Sequence, residues 1–147
     1  METKIKVKKL HPEAVMPKRA CEGDAGYDLT AVSVDVERLS PAIFLVTYHT
    51  GLAFEIPDGM FGDVRPRSSI YKTGMFMSNS CGVIDSGYRG EVLAKFYSAT
   101  DDMSKLYKVG DRIAQIIFTG LPSTSLEQTD ELSDTARGKG GYGSTGR

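Results

Sequence analysis

Gly82-Val83-Ile84-Asp85-Ser86-Gly87-Tyr88-Arg89-Gly90-Glu91-Val92 lies between two β-rich runs, at 75–81 and 92–97. Asp, Ser and Gly at its centre favour a turn, so the whole reads as a hairpin. A turn needs only a polar tip. This one carries a carboxylate behind Val83 and Ile84, then Tyr88 and Arg89. Asp85 therefore has two readings. It starts an ordinary Asp-initiated turn, or it is a partly desolvated carboxylate suited to base chemistry.

Upstream, residues 4–10 alternate polar and apolar, with Ile5 and Val7 on one face of a half-buried strand. Lys4, Lys6, Lys8 and Lys9 suit its wet face. Pro12 and Pro17 then impose an irregular connection. Gly23-Asp24-Ala25-Gly26-Tyr27-Asp28-Leu29 follows, and its small residues permit close backbone approach. Asp28 reads as a turn residue or as a positioning carboxylate. Residues 29–36 read as a strand, with Val32, Val34 and Val36 alternating. Residues 42–48 are dense in β-formers. A break at Gly51 separates them from 52–56, and Pro57-Asp58-Gly59 signals a turn with Pro57 at its first central position. The strand from Met60 to Val64 delivers Arg65-Pro66-Arg67-Ser68-Ser69. That group is a solvated loop or an anion site, since an Arg fork and Ser hydroxyls suit phosphate oxygens. A short helical turn around Ile70-Tyr71-Lys72 stops at Gly74.

Downstream, 100–105 is a polar loop, and Gly110-Asp111 turns the chain into Arg112-Ile113-Ala114-Gln115-Ile116-Ile117-Phe118. Length and β-branching make that run a buried strand. Gln115 interrupts it, so its amide either satisfies a neighbour's backbone or faces a ligand. Residues 122–136 are polar, lack a core pattern and read as an extended arm. The end, Arg137-Gly138-Lys139-Gly140-Gly141-Tyr142-Gly143-Ser144-Thr145-Gly146-Arg147, is by composition a flexible tail. Its backbone N–H groups also suit it to wrap phosphates as a lid.

Composition bounds the rest. A chain of 147 residues is one domain with a real core. A net charge of −1 without a basic run argues against a nucleic-acid partner. Cys21 and Cys81 make neither a disulfide framework nor a zinc signature, and Cys81 reads as a small buried residue. With His only at 11 and 49, no metal-ligand cluster is recognisable. A metal, if used, arrives with a substrate phosphate, as Mg²⁺ commonly does. No apolar run reaches the roughly 18 residues of a membrane span, so no membrane partner is expected. With no signal-peptide core, a soluble, cytoplasmic, reducing location is the default expectation. Short strands separated by turns, with almost no helical periodicity, imply an all-β sandwich or barrel.

Taken in order, five stretches resemble the trimeric dUTP diphosphatase (dUTPase) family, from about residue 17 to residue 146. They are Ala25-Gly26-Tyr27-Asp28-Leu29; Pro66-Arg67-Ser68-Ser69; Gly82-Val83-Ile84-Asp85 through Tyr88-Arg89-Gly90; Gly110-Asp111-Arg112-Ile113-Ala114-Gln115; and the stretch from Arg137 to Gly146. The resemblance implies a jelly-roll-like subunit in a homotrimer, with active sites at subunit interfaces. A β-domain (1–121) is followed by a C-terminal arm and glycine-rich lid (122–147), exchanged between subunits within the same single domain. It implies hydrolysis of dUTP to dUMP and pyrophosphate, keeping uracil out of DNA and supplying dUMP for thymidylate synthesis.

The roles carry over by motif. Asp85 looks like the base that activates water for attack on the α-phosphorus. Tyr88 looks like the residue under the deoxyribose that leaves no room for a 2′-hydroxyl. Asn79 resembles the side chain that pairs with the uracil edge. Gly82 belongs to the same substrate-binding strand, and the backbone of Val83, Ile84 and Leu93 would complete a hairpin that excludes a 5-methyl group. Arg67, Ser68, Ser69 and Gln115 look like phosphate ligands. Arg137 would pair with the γ-phosphate, Tyr142 would stack on uracil, and Gly143, Ser144 and Thr145 would bind phosphate oxygens. Asp28 looks like a carboxylate that orients the site from behind. Mg²⁺ would be held by the phosphates and water. Ser69 departs from the usual Gly, Gly87 from Asp or Asn, and Tyr142 from Phe. Two neighbouring readings are a dCTP deaminase on the same fold, separable by ammonia release, and a sensor that binds dUTP and a protein partner.

Overall fold

The structure, a computed structural model, describes residues 3–141. Among them the strands are β1 Lys6–Lys9, β2 Tyr27–Thr30, β3 Ser33–Ser40, β4 Ile43–His49, β5 Leu52–Glu55, β6 Met60–Pro66, β7 Met75–Met77, β8 Gly82–Ile84, β9 Leu93–Ser98 and β10 Arg112–Gly120. Two 3-10 turns, Ser68–Lys72 and Met103–Lys105, are the helical content. All strand pairings are antiparallel. One sheet has the order β2-β10-β6-β8, a second β3-β4-β9-β7, and β1 pairs with β5 as a separate ribbon. The architecture is all-β and jelly-roll-like.

One apolar core draws on both four-stranded sheets. Leu29, Val64, Ala114 and Ile116 come from the first, and Val46, Tyr48, Ala94 and Phe96 from the second. Alternation decides which side chains enter: β9 buries Ala94, Phe96 and Ser98 and turns Lys95 outward. Tyr48 is fully buried, so its phenol needs a partner. It donates to the Tyr107 carbonyl at 3.0 Å, and burial pushes its pKa far above the ordinary value.

Three local expectations need correction. Residues 29–36 are not one strand. Ala31 N–H donates to the Asp111 carbonyl beside the first sheet, whereas Val32 N–H donates to the His49 carbonyl in the second. The chain thus changes sheets across one peptide, and Val36 emerges exposed. Pro57 does not take the first central position of its turn. Its carbonyl accepts from Met60 N–H, leaving Asp58 and Gly59 central, with Gly59 at φ +77°. The stretch after β7 is no tight hairpin either. Its flanks do pair, Met77 opposite Phe96. The residues between them leave the sheet and place β8 on β6, Val83 opposite Asp63.

The 3-10 turn Ser68–Lys72 matches the expected helical turn, and Gly74 ends it at φ +68°. Residues 121–136 form no strand and are exposed, Leu126 and Leu132 included. No helix among the described residues is long and apolar enough to cross a membrane.

Candidate functional site

Some of the expected site residues gather in two pockets that share no lining residue. The first, about 260 Å³, is lined by Asp24, Ala25, Gly26, Asp28, Arg67, Ser68 and Gln115, with Ala20 at its edge. Strand pairing creates it. Asp28 of β2 lies opposite Gln115 of β10, and Gln115 lies opposite Arg65 of β6, so the end of β6 delivers Arg67 beside Asp28. Arg67 is still extended, at φ −79° and ψ 155°, before the 3-10 turn begins.

Asp28 is shielded and accepts from two guanidiniums. Arg67 Nε donates to Oδ1 at 3.0 Å, and Arg112 Nη1 donates to Oδ2 at 2.8 Å. Asp28 takes Nε of Arg67, so this bond does not occupy the Nη pair that forks onto an anion. Asp28 between Arg67 and Arg112 leaves that trio with an excess positive charge, which Asp24, also lining the pocket and accepting from Cys21 N–H at 2.8 Å, balances. Gln115 satisfies a neighbour's backbone, since its Nε2 donates to the Pro66 carbonyl at 3.2 Å, and it also lines the pocket. Its amide presses on Gly26, where any Cβ would overlap Gln115 Oε1. Glycine at this ordinary φ lets Gln115 keep its place; a side chain there would push the amide aside. Ser69 stays outside this pocket, and its hydroxyl lies 3.5 Å from that of Tyr107.

The second pocket, about 270 Å³, is lined by Val83, Ile84, Asp85, Tyr88, Glu91 and Leu93. Tyr88 N–H donates to the Asp85 carbonyl at 3.1 Å and closes a turn over Ser86 and Gly87. Tyr88 Oη donates to the Glu91 carbonyl at 3.0 Å, which folds the ring back over Gly90. A Cβ on Gly90 would collide with that phenol. Arg89 Nη1 donates to the Ser86 and Tyr88 carbonyls and so ties the turn to itself. Gly87 carries no such demand, since a Cβ there meets nothing within 4 Å.

Asp85 is exposed in this chain, so the expected partial desolvation is absent. The turn points its carboxylate off the end of β8 instead of packing it under an apolar run. Asn79 and Gly82 lie just upstream and do not line the pocket. Cys81 N–H donates to the Asn79 carbonyl at 2.6 Å across Ser80, which sits at φ +60°. This three-residue turn is a costly conformation for a residue with a Cβ. Gly82 then packs on Val64, with the Asn79 amide alongside. Cys81 is half-buried.

Glu91 is a pocket residue that the sequence reading missed. Its partner His49 is 42 positions away, so no local pattern marks the pair. Arg137 stays outside both pockets and donates from Nε to the Gly140 carbonyl at 3.0 Å. Tyr142, Gly143, Ser144 and Thr145 lie outside the described residues. Among the described residues no group of three or more His, Cys, Asp or Glu converges as metal ligands.

The fold and its pockets define an all-β chain with an arginine-bearing polar pocket and a separate cleft edged by a carboxylate. A sequence model of the dUTPase family matches residues 12–146. The chain belongs to the dUTPase family. It is 44% identical over 141 residues to the deoxyuridine 5′-triphosphate nucleotidohydrolase of Paramecium bursaria Chlorella virus 1, covering 95% of this chain and 96% of that one. It is 40% identical over 148 residues to the enzyme of the same name from Escherichia phage T5, covering 97% and 98%. Among solved structures, the Staphylococcus bacteriophage 80alpha dUTPase with dUPNHPP superposes with a TM-score of 0.83 at 26% identity, covering 99% of this chain and all of that one.

Proposed function

We propose that this protein hydrolyses dUTP to dUMP and pyrophosphate, at sites that each combine pockets from different subunits of a homotrimer. The observation that carries the reading is the separation of the two pockets. Nucleotide-sized sites commonly run from about 300 to 1,000 Å³, and each pocket here is smaller. One offers the Arg67 fork, the Ser68 hydroxyl and the Gln115 amide, which suit phosphate oxygens. The other offers a tyrosine ring, exposed strand backbone and a carboxylate. A cyclic assembly would let the first pocket of one subunit meet the second of its neighbour.

On this reading the triphosphate lies on Arg67, Ser68 and Gln115, with Ser69 contributing backbone. Asp28 keeps the Arg67 fork in place. Uracil lies along Gly82, Val83, Ile84 and Leu93, with Asn79 at its edge. Tyr88 packs under the deoxyribose and fills the space that a 2′-hydroxyl would need. Asp85 accepts a proton from water. The water oxygen bonds to the α-phosphorus, the bond to the α,β-bridging oxygen breaks, and pyrophosphate departs with that oxygen. Such proton transfer contributes roughly 10²–10⁴-fold. The exposure of Asp85 in a single chain agrees with a base that is covered only on assembly.

Residues 1–121 form the β-domain and 122–147 the arm and lid. Arg137, Tyr142, Gly143, Ser144 and Thr145 close over a site built by other subunits. Magnesium fits the donor set: with the protein ligands few, triphosphate oxygens and water would hold it, as this hard cation prefers. When bound, the ion neutralises phosphate charge. The same proposal includes a cytoplasmic role in clearing dUTP and supplying dUMP.

Pyrophosphate release with Mg²⁺ from dUTP, UTP, dTTP and dCTP tests the reading. Release from dUTP alone is expected. Binding of dUTP without release would favour a sensor, and ammonia from dCTP would favour a deaminase. The sensor reading has one relative behind it: phage dUTPases, the 80alpha protein among them, control transfer of virulence genes by a G protein-like mechanism.

A further inference from the structure

One cluster of titratable groups outside the roles above touches the second pocket. His49 ends β4 and lies opposite Leu93 of β9 and Ser33 of β3. Its Nδ1 is 3.1 Å from Glu91 Oε2, and its Nε2 is 2.9 Å from Asp35 Oδ2. An ionised carboxylate only accepts hydrogen bonds, so a ring nitrogen facing one must donate. Two carboxylates require both nitrogens to donate, and only imidazolium does so. Glu91 uses its other oxygen, Oε1, to accept from Gly51 N–H at 2.7 Å. Its side chain is thereby fixed at both oxygens. Its backbone carbonyl is the one that accepts the Tyr88 hydroxyl. A continuous path therefore runs from Asp35 through His49 and Glu91 to the phenol that walls the pocket.

We propose that His49, as imidazolium, is a positioning residue for the nucleoside pocket: it fixes Glu91, and through Glu91 the seat of the Tyr88 hydroxyl. The proposal rests on reading this pocket as the nucleoside half of a dUTP site. It makes substrate affinity depend on pH. Hydrogen bonds to Asp35 and then Glu91 hold the ring protonated above its ordinary value of 6.5, against a smaller opposing effect of burial. Those two carboxylates face the ring from β3 and from the segment ahead of β9. Lys95 of β9 stands one row along the same face, opposite Thr47 and in line with Asp35. Asp35 is largely exposed, whereas the Glu91 side chain is only 27% exposed, so the Glu91 contact is the less screened one. Once the pH passes the raised value, one nitrogen stops donating and faces a carboxylate as a second acceptor. Whichever nitrogen keeps the proton, Glu91 then faces a neutral ring instead of a cation, Gly51 N–H becomes its main tether, and the Tyr88 seat loosens.

The test uses the full chain with dUTP and Mg²⁺, from about pH 6 to about pH 9, where imidazole titrates. For the natural protein, KM should rise about fivefold across that range with kcat nearly constant, the loss of one charge-assisted contact. His49→Gln, neutral throughout, should show a raised KM without that rise. A His49→Gln profile that follows the natural protein at every pH overturns the proposal. A second measurement stands whether or not that variant folds. The ring C–H resonance of His49 in the natural protein, assigned against His11→Gln, should titrate above 6.5. Its midpoint should move higher on saturation with dUMP, because a ligand that needs imidazolium must in return hold its proton. A midpoint at or below 6.5, or one indifferent to dUMP, overturns the proposal. Absent dUTP turnover, the hydrolase reading alone fails, and the dUMP-linked titration still decides the role of His49.

Discussion

The two pockets are built by opposite means. The anion pocket is braced from behind: a shielded Asp28 holds Arg67 and Arg112, and Gln115 is pinned between Pro66 and Gly26. Asp28 and Gln115 stand on paired strands of one sheet and fix the back of the pocket, while Arg67 and Ser68 follow β6 and residues 24–26 lead into β2. The second pocket hangs on a turn. Its carboxylate is exposed, and its shape depends on Tyr88 folding back over Gly90 onto the Glu91 carbonyl. A receptor for a multiply charged group benefits from fixed donors, which need no reorganisation when the anion arrives. On the proposed reading, Asp85 would reach its working environment only once the neighbouring chain closes over it.

Replacing Asp85 should have the largest effect. Asp85→Asn keeps the turn and removes the proton acceptor. Pyrophosphate release should fall by about 10²–10⁴-fold, while calorimetry shows a non-hydrolysable dUTP analogue still binding. Turnover near the natural rate would remove the base assignment and, with it, the functional contrast between the pockets.

Arg67→Ala attacks the other pocket. It should weaken binding of the triphosphate by about tenfold or more, since a hydrogen bond to a charged group contributes about 1.5–3 kcal/mol, and it leaves Asp28 with Arg112 alone. Mixing then sharpens the comparison. Asp85→Asn and Arg67→Ala chains are each nearly inactive. Unfolded together and refolded in equal amounts, they should recover roughly a quarter of natural activity, the share of interface sites that draw an intact half from each. No recovery, with mixed oligomers confirmed by mass, would mean that both pockets of a site belong to one chain.

The two contact glycines separate affinity from discrimination. Gly26→Ala drives a methyl into Gln115 and should lower kcat/KM for dUTP about tenfold with little change in the dUTP:UTP ratio. Gly90→Ala displaces the Tyr88 phenol and should instead erode that ratio, by about the same factor. Parallel kinetics on dUTP and UTP check both. If the two variants behaved alike, the pockets would be mechanically coupled and not separately built.

Much of this was legible from the residues. Alternation gave β1, density of β-formers gave β4, length with β-branching gave β10, and Gln115 stood out because an amide within an apolar strand demands a reason. Asp28 and Arg67 could be chosen as candidates, but their 3.0 Å contact joins positions 39 apart and follows only from pairing through β10. Alternation is blind to which sheet a strand joins. The switch between Ala31 and Val32 leaves the pattern of valines intact, and β8 departs to β6 from what reads as a simple hairpin. The same blindness hides Glu91 and His49. Each is an ordinary polar residue until β4 and β9 bring them together.

That last contact carries the smallest prediction, and its direction follows from linkage. Asp35 and Glu91 raise the His49 pKa above 6.5 in the folded chain, so the native state holds this proton more tightly than the unfolded state does. The resulting stabilisation is complete below about pH 6.5 and is lost as pH rises through the raised value. With Asp35 exposed and His49 only partly covered, solvent screening limits the effect to about 0.5 kcal/mol, or about 1–2 °C in Tm. Melting curves should therefore show the natural protein falling toward His49→Gln as pH passes through that window, with the gap widest on the acid side. A gap that widened toward alkaline pH would mean the ring is held neutral.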